Sequence, residues 1–259
     1  MAKSMDTFDL SRRTALVTGA RREIGRAIAL GLAEVGARVA VHHAGTAEEA
    51  RDAEAVVAEI AESGATAHPF AMDFAEDDAG TRLARAVLEQ FGSVDILVLN
   101  ASIELVEPFE TIDRARFDRQ VAVNLRSALE LLQALVPAMA ERGWGRVLAI
   151  GSIQQERPHP HMFVYAGTKA MQASWVRSLA RQYGGRGVTV NNLAPGAIAT
   201  ARNREQLARE GDKLLENIPA GRFGRPEDLV GAALLLCSGA GSYINGANIF
   251  VDGGRGVVL

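Results

Sequence analysis

Two side chains with complementary proton chemistry stand at i and i+4 in the run Tyr165-Ala166-Gly167-Thr168-Lys169. On a helix this spacing puts a phenol and an ammonium on one face, a turn apart. A fixed positive charge beside a phenol favours the phenolate, and a phenol so placed can give or take a proton at a carbonyl or alcohol oxygen. Ser152 follows the apolar run 147–150 and offers a second hydroxyl to the same oxygen. Such a set handles protons only, so a hydride would have to come from a redox cofactor. Tyr and Lys at this spacing also occur on solvated helix faces, and the surrounding elements therefore carry the argument.

Short apolar runs alternate with longer helical patterns along the chain. Strands are expected at 14–17, 38–42, 66–72, 95–99, 146–150, 188–193 and 247–251, and helices at 24–35, 47–62, 78–91, 114–142, 161–183 and 226–237. Regular strand–helix alternation implies parallel βαβ units with right-handed crossovers, hence an α/β doubly wound sheet, a Rossmann fold. With no linker, repeat or low-complexity tract, residues 1–259 read as one domain with its core at 11–254. Ligands of such sheets bind beyond the carboxyl ends of the strands, and Gly19, Asp73, Asn100, Ser152 and the pair Pro195-Gly196 all follow expected strands.

The segment Thr18-Gly19-Ala20-Arg21-Arg22-Glu23-Ile24-Gly25 joins the first strand to the first helix. Glycines there allow a tight turn and close approach of a pyrophosphate to the helix N-terminus. An acid ending the second strand would bind the ribose 2′-hydroxyl of NAD, but that strand ends Val41-His42-His43-Ala44. A missing carboxylate beside Arg21 and Arg22 suits a 2′-phosphate, so NADP(H) is favoured over NAD(H). The alternative is that both arginines are solvated surface charges.

Composition narrows the class further. The 259 residues are 48% hydrophobic with a formal charge of −3. No basic block points to nucleic acid and no long apolar run to a membrane. The first ten residues lack the apolar core of a signal peptide, so a cytoplasmic protein is expected. The single cysteine, Cys237, allows no internal disulfide and sits in an apolar run suited to packing. His159 and His161 at i and i+2 have no third ligand nearby in the sequence, so no metal is expected.

With these motifs in hand, the chain resembles the short-chain dehydrogenase/reductase family from Ser11 to Gly254. The run 18–25 resembles its glycine loop, and Val98-Leu99-Asn100-Ala101-Ser102 its N-N-A-G segment. Asp73 matches the acid at adenine. Asn124, Ser152, Tyr165 and Lys169 match its catalytic tetrad. Pro195, Gly196 and Thr200 resemble the segment lining the nicotinamide, and 222–228 and 251–254 resemble its C-terminal signatures. The resemblance also implies cofactor contacts at Ile24, His43, Phe74, Ala101 and Ile198. It implies that Lys169 holds the nicotinamide ribose, and that Asn124 holds a water linking Lys169 to solvent. A homotetramer packed through 114–142 and 161–183 is expected on the same ground.

Two segments depart from the family pattern. Glu23 replaces the middle glycine of the loop, which either weakens cofactor binding or turns the carboxylate outward. Leu99 and Ser102 replace an Asn and a Gly after the fourth strand. The expected substrate is a small carbonyl or alcohol read by 103–106, 154–162 and 197–219: a sugar, a polyol or a 3-oxoacyl-type compound. The polar run Gln154-Gln155-Glu156-Arg157 suits a hydroxylated one. Glu130, where carrier-protein reductases often have a basic residue, argues against an acidic carrier. The competing reading is a non-catalytic, redox-sensing NAD(P)-binding protein, against which the intact tetrad speaks.

Overall fold

Runs such as Ala15-Leu16-Val17 and Ile96-Leu97-Val98 have no polar member to turn toward water, as strands covered on both faces require. A computed structural model describes residues 4–257, and every side chain among them save those of 4, 202, 206 and 210. Seven strands form one sheet: β1 Thr14–Val17, β2 Arg38–His43, β3 Ala67–Ala71, β4 Ile96–Leu99, β5 Gly145–Ile150, β6 Val188–Pro195 and β7 Asn248–Val251. Their order is β3-β2-β1-β4-β5-β6-β7. Every pairing is parallel, with Leu16 opposite both Ala40 and Leu97. The order reverses between β1 and β4, which opens a crevice at the carboxyl ends of the strands.

Helices cover both faces. On one lie α1 Glu23–Glu34, α2 Ala47–Glu62 and α8 Val230–Cys237, whose Ile28, Leu32, Val56, Ile60 and Leu236 pack on Val17, Val39 and Val98. On the other lie α3 Ala79–Phe91, α5 Ser127–Glu141 and α6 Phe163–Tyr183, packing through Leu83, Val87, Leu131, Leu135, Met139 and Val176. Close packing fixes some glycines: a Cβ on Gly31 would meet Val230 Cγ1 at 2.5 Å.

Two expectations need correction. The helix expected over 114–142 is interrupted: α4 Arg114–Val121 passes into a π-turn, Ala122–Arg126, before α5 begins. The segment 197–219 contains a further helix, α7 Arg204–Leu215, that was not anticipated. Smaller differences fall at ends. β6 runs on to Pro195, and α6 starts at Phe163 after a 3₁₀ turn at Pro160–Met162. Among the described residues no helix is long and apolar enough to cross a membrane.

The amino ends of the strands are closed by a buried arginine. Arg146 donates from Nε to the Ser238 carbonyl at 2.9 Å and from Nη1 to those of Gly145 and Gly187 at 2.8 and 3.3 Å. Its guanidinium lies 4.4 Å from the Trp144 ring centroid, and that ring also carries Arg13 at 3.8 Å. Burial draws Arg146 below the usual arginine range, yet three carbonyl dipoles take up three of its five N–H donors.

Candidate active site

The first turns of α6 bring Tyr165 and Lys169 to the end of β5. Both side chains are buried, at 6% and 1% exposure. Lys169 Nζ donates to the Ile150 carbonyl, the last of β5, at 2.8 Å, and lies 5.7 Å from the Tyr165 ring centroid. Ser152 follows two residues on, where the chain leaves the strand. Its Oγ accepts from the Gln154 amide at 3.2 Å and opens a 3₁₀ turn, Ile153–Gln155. Gly151 leaves room at this exit for the carboxamides of Gln155 and Asn192, which a Cβ there would meet at 2.5 and 2.6 Å.

Asn124 reaches the same site through the π-turn. An extra residue in a helical turn displaces side chains sideways, and such turns concentrate at functional sites. Here the Asn124 carboxamide pairs both ways with the Ile103 backbone, donating to its carbonyl and accepting from its amide, each at 2.9 Å. It also donates to Thr168 Oγ1 at 3.2 Å. The segment after β4 is thereby pinned to α6.

A residue not singled out from the sequence completes the connection. Gln172 is 3% exposed; its Nε2 donates to the Asn124 carbonyl at 2.6 Å, and its Oε1 lies 3.4 Å from Lys169 Nζ. Its position three residues after Lys169, on the same helix face, was the available signal. Asn124 and Lys169 are thus joined through a side chain.

The glycine loop is held from both flanks. Gly19 turns at φ 63°, and its amide donates to His42 Nδ1 at 3.0 Å. Thr18 Oγ1 donates to the Val98 carbonyl at 3.1 Å and accepts the amides of Asn100 and Ala101 at 2.9 and 3.0 Å. Asn100 Nδ2 donates to the carbonyls of Thr18 and Gly19 at 2.9 and 3.1 Å. A Cβ on Gly25 would meet the Gly19 carbonyl oxygen at 2.3 Å. Arg22, at the start of α1, caps nothing with its side chain, so the first-turn amides are left as donors for an anion. A dinucleotide pyrophosphate fits this cradle.

His42 was read only as the absence of an acid, and it does more. Its Nε2 faces the Met72 carbonyl at 2.9 Å while Nδ1 accepts from Gly19, which assigns the neutral Nε2–H tautomer. The ring stacks on Phe74 at 4.3 Å, and burial lowers its pKa from 6.5 to about 4. Phe74, expected at the cofactor, is 4% exposed in that stack. His43 Nδ1 accepts from Gly45 at 3.2 Å. Asp73 Oδ1 accepts from Ala75 at 2.9 Å. Ile24 is half-buried on α1, and Ile198 is buried and bridges to Gly224. Gly196 packs on Asp252, and the Thr200 amide and hydroxyl both donate to Asn203 Oδ1, at 2.9 and 3.1 Å.

The two loop arginines part company. Arg21 is turned into α2, with Nε 3.2 Å from Glu49 and Nη1 2.5 Å from Asp52, so its charge is already balanced. Arg22 is exposed. Glu23, with the left-handed φ of 52°, accepts the Ala201 amide on Oε1 at 2.8 Å. Leu99, where the family has an Asn, is buried in the core. Glu130 Oε2 accepts the Gly80 amide at 2.8 Å and ties α5 to α3.

Polar side chains continue beyond Ser152. Gln155 Oε1 accepts from Asn192, Asn192 donates to Asn248 Oδ1, and Asn248 donates to Glu156, at 2.9, 2.6 and 2.9 Å. His159 Nδ1 accepts the His161 amide at 3.2 Å. Among the described residues no group of three His, Cys, Asp or Glu could hold a metal ion.

A family model described as Enoyl-(Acyl carrier protein) reductase matches residues 19–255. An L-rhamnose 1-dehydrogenase (NAD(P)(+)) of Azotobacter vinelandii is 38% identical over 250 residues, covering 95% of this chain and 98% of that protein. A crystal structure of a 3-oxoacyl (acyl-carrier-protein) reductase from Agrobacterium tumefaciens with NADP bound is 42% identical, with a TM-score of 0.90 and coverage of 98% and 97%. A gluconate 5-dehydrogenase from Burkholderia cenocepacia, in complex with NADP and tartrate, is 32% identical, with a TM-score of 0.92 and coverage of 99% and 100%.

Proposed function

The chain belongs to the short-chain dehydrogenase/reductase family, and we propose that Tyr165, Lys169, Ser152 and Asn124 run its chemistry on a small, hydroxylated carbonyl or alcohol. It is an NAD(P)-dependent oxidoreductase acting between CH–OH and C=O. The observation that carries the residue roles is the hydrogen-bonded line from Asn124 through Gln172 to Lys169, beside the buried Tyr165. In reduction Tyr165 gives its proton to the substrate oxygen and in oxidation takes it. The Ser152 hydroxyl donates to that oxygen as negative charge develops. Lys169, held by Ile150, keeps a positive charge beside the phenol. The nicotinamide, when bound, supplies or accepts the hydride.

A sugar, polyol or sugar acid is favoured over an acyl chain on an acidic carrier. The polar residues after Ser152 support this, as do the sugar substrates in the names of two similar proteins, the rhamnose and gluconate dehydrogenases. Glu130, at a position where carrier-protein reductases often have a basic residue, supports it too. NADP(H) is the preferred cofactor because β2 ends without an acid and Arg22 is exposed beside the loop. The chain works as one domain and as a homotetramer. Phe117, Leu129, Phe163 and Met171, all at least 43% exposed on α4, α5 and α6, offer the apolar area. A cytoplasmic location suits its one free, buried cysteine, Cys237, whose thiol burial pushes up to about 12.

Following NADPH absorbance against a panel of keto-sugars, oxidised polyols and 3-oxoacyl thioesters tests the reading. Turnover with a sugar-derived ketone, abolished by Tyr165→Phe with NADPH binding retained, is the expected result. No turnover across the panel, or full turnover by the Phe variant, would overturn it.

A further inference from the structure

Glu23 combines two features that call for one explanation. Its backbone sits at φ 52°, a region that glycine enters freely and that glutamate enters only when its surroundings hold it there. Its side chain leaves its own helix, and Oε1 accepts the amide of Ala201, a residue 178 positions away in sequence. Ala201 begins the 3₁₀ turn Ala201–Asn203, which leads directly into α7. That segment follows β6, so it emerges at the carboxyl edge of the sheet, where the crevice lies.

We propose that Glu23 is a positioning residue that tethers the α7 segment to the glycine loop and so sets how readily the crevice opens. The loop end of the tether is itself rigid. Gly19 is fastened to His42 and Asn100, and Gly25 is packed against the Gly19 carbonyl. Ahead of the far end, Ala197 and Ala199 pair with Gly224 and Asn203 Nδ2 donates to the Ile198 carbonyl; beyond it α7 is polar, and Arg204, Arg209 and Lys213 are exposed along it. The same bond keeps the carboxylate occupied. A free carboxylate on the first residue of α1 would repel a pyrophosphate at the first-turn amides. One held on Ala201 has a fixed place, and cofactor release requires the segment to swing away with that bond broken. The left-handed backbone is what aims the side chain across the gap.

This inference rests on the cofactor reading only for its kinetic part, and the test separates the two. Trypsin acting on the cofactor-free protein reports the tether directly, through cleavage after Arg204, Arg209 and Lys213. Glu23→Gly removes the side chain and suits the backbone. It should cleave severalfold faster there while its melting temperature holds or rises. Glu23→Gln keeps an acceptor oxygen and should cleave at the parent rate. In stopped flow, NADPH should leave the Gly variant faster than the parent. Unchanged cleavage in Glu23→Gly, cleavage that rises only with a fall in melting temperature, or a Gln variant as labile as the Gly one would each overturn the tether. Failure of every form to bind NADPH would sink the cofactor reading and leave the trypsin comparison standing.

Discussion

Gly19 donates its amide hydrogen to His42 Nδ1 at 3.0 Å, so the turn of the cofactor loop hangs on a side chain of the neighbouring strand. Only the neutral ring can accept this bond. The folded state holds the pKa at about 4, against 6.5 for the free group, because the ring is buried. Above pH 6.5 neither state is protonated and the group contributes nothing to pH dependence. As pH falls below 6.5 the unfolded chain takes up a proton that the folded one refuses, and stability is lost until about pH 4. The loss across this window is roughly 3 kcal/mol. His42→Asn keeps an acceptor and a donor but cannot titrate. Its urea midpoint should therefore fall less than the parent's between pH 7 and pH 5.

Gln172 stands between Asn124 and Lys169, and its removal should touch chemistry more than folding. Gln172→Leu deprives the ammonium of one oxygen and the Asn124 carbonyl of its donor. The expected fall in kcat is roughly tenfold to a hundredfold, with little change in the KM for NADPH. With the ammonium less well supported, the phenolate is too. The pH profile for alcohol oxidation should shift to higher pH. A merely structural glutamine would lower the melting temperature and leave that profile in place.

Arg21 and Arg22 adjoin in sequence but should separate in a binding assay. Arg21 already serves Glu49 and Asp52. Arg21→Ala should cost about 2 kcal/mol of stability and leave the ratio of NADPH to NADH affinity unchanged. Arg22→Ala should leave stability intact and lower that ratio about tenfold, the scale of one charge-assisted phosphate contact. Fluorescence titration of both variants with both cofactors reads the difference.

Arg146 tests the opposite end of the sheet. Arg146→Leu would take this donor from the buried Gly145 and Ser238 carbonyls, a loss of about 2 kcal/mol visible in denaturant unfolding. Since the residue lies at the amino ends of the strands, the KM and kcat of the folded fraction should be unchanged.

The central strands were legible because a sheet covered on both faces leaves no polar residue in runs such as 15–17 and 96–99, and strand limits came within a residue or two. Of the proposed tetrad, spacing points to Ser152, which closes one apolar run, and to Tyr165 and Lys169, a turn apart, whereas Asn124 came only from the family resemblance. What was hidden depended on partners remote in the chain. Arg21 looks like a free cation until α2 brings Glu49 and Asp52 beside it. His42 and His43 look alike until alternation along β2 sends one ring under the loop. The π-turn at Asn124 is a slip of register that apolar periodicity does not record. The twelve residues of α7 carry too narrow an apolar stripe to announce a helix.

The reversal of strand order between β1 and β4 divides labour. On the proposed reading, groups for the adenosine half of the cofactor follow β1, β2 and β3, and those for the substrate oxygen follow β5 and lie on α6. Cofactor preference and substrate chemistry are therefore separately adjustable traits. On that reading, replacements around Arg22 and His43 should retune the electron currency while Ser152 and Tyr165 stay untouched, so selection or engineering could alter either half one substitution at a time.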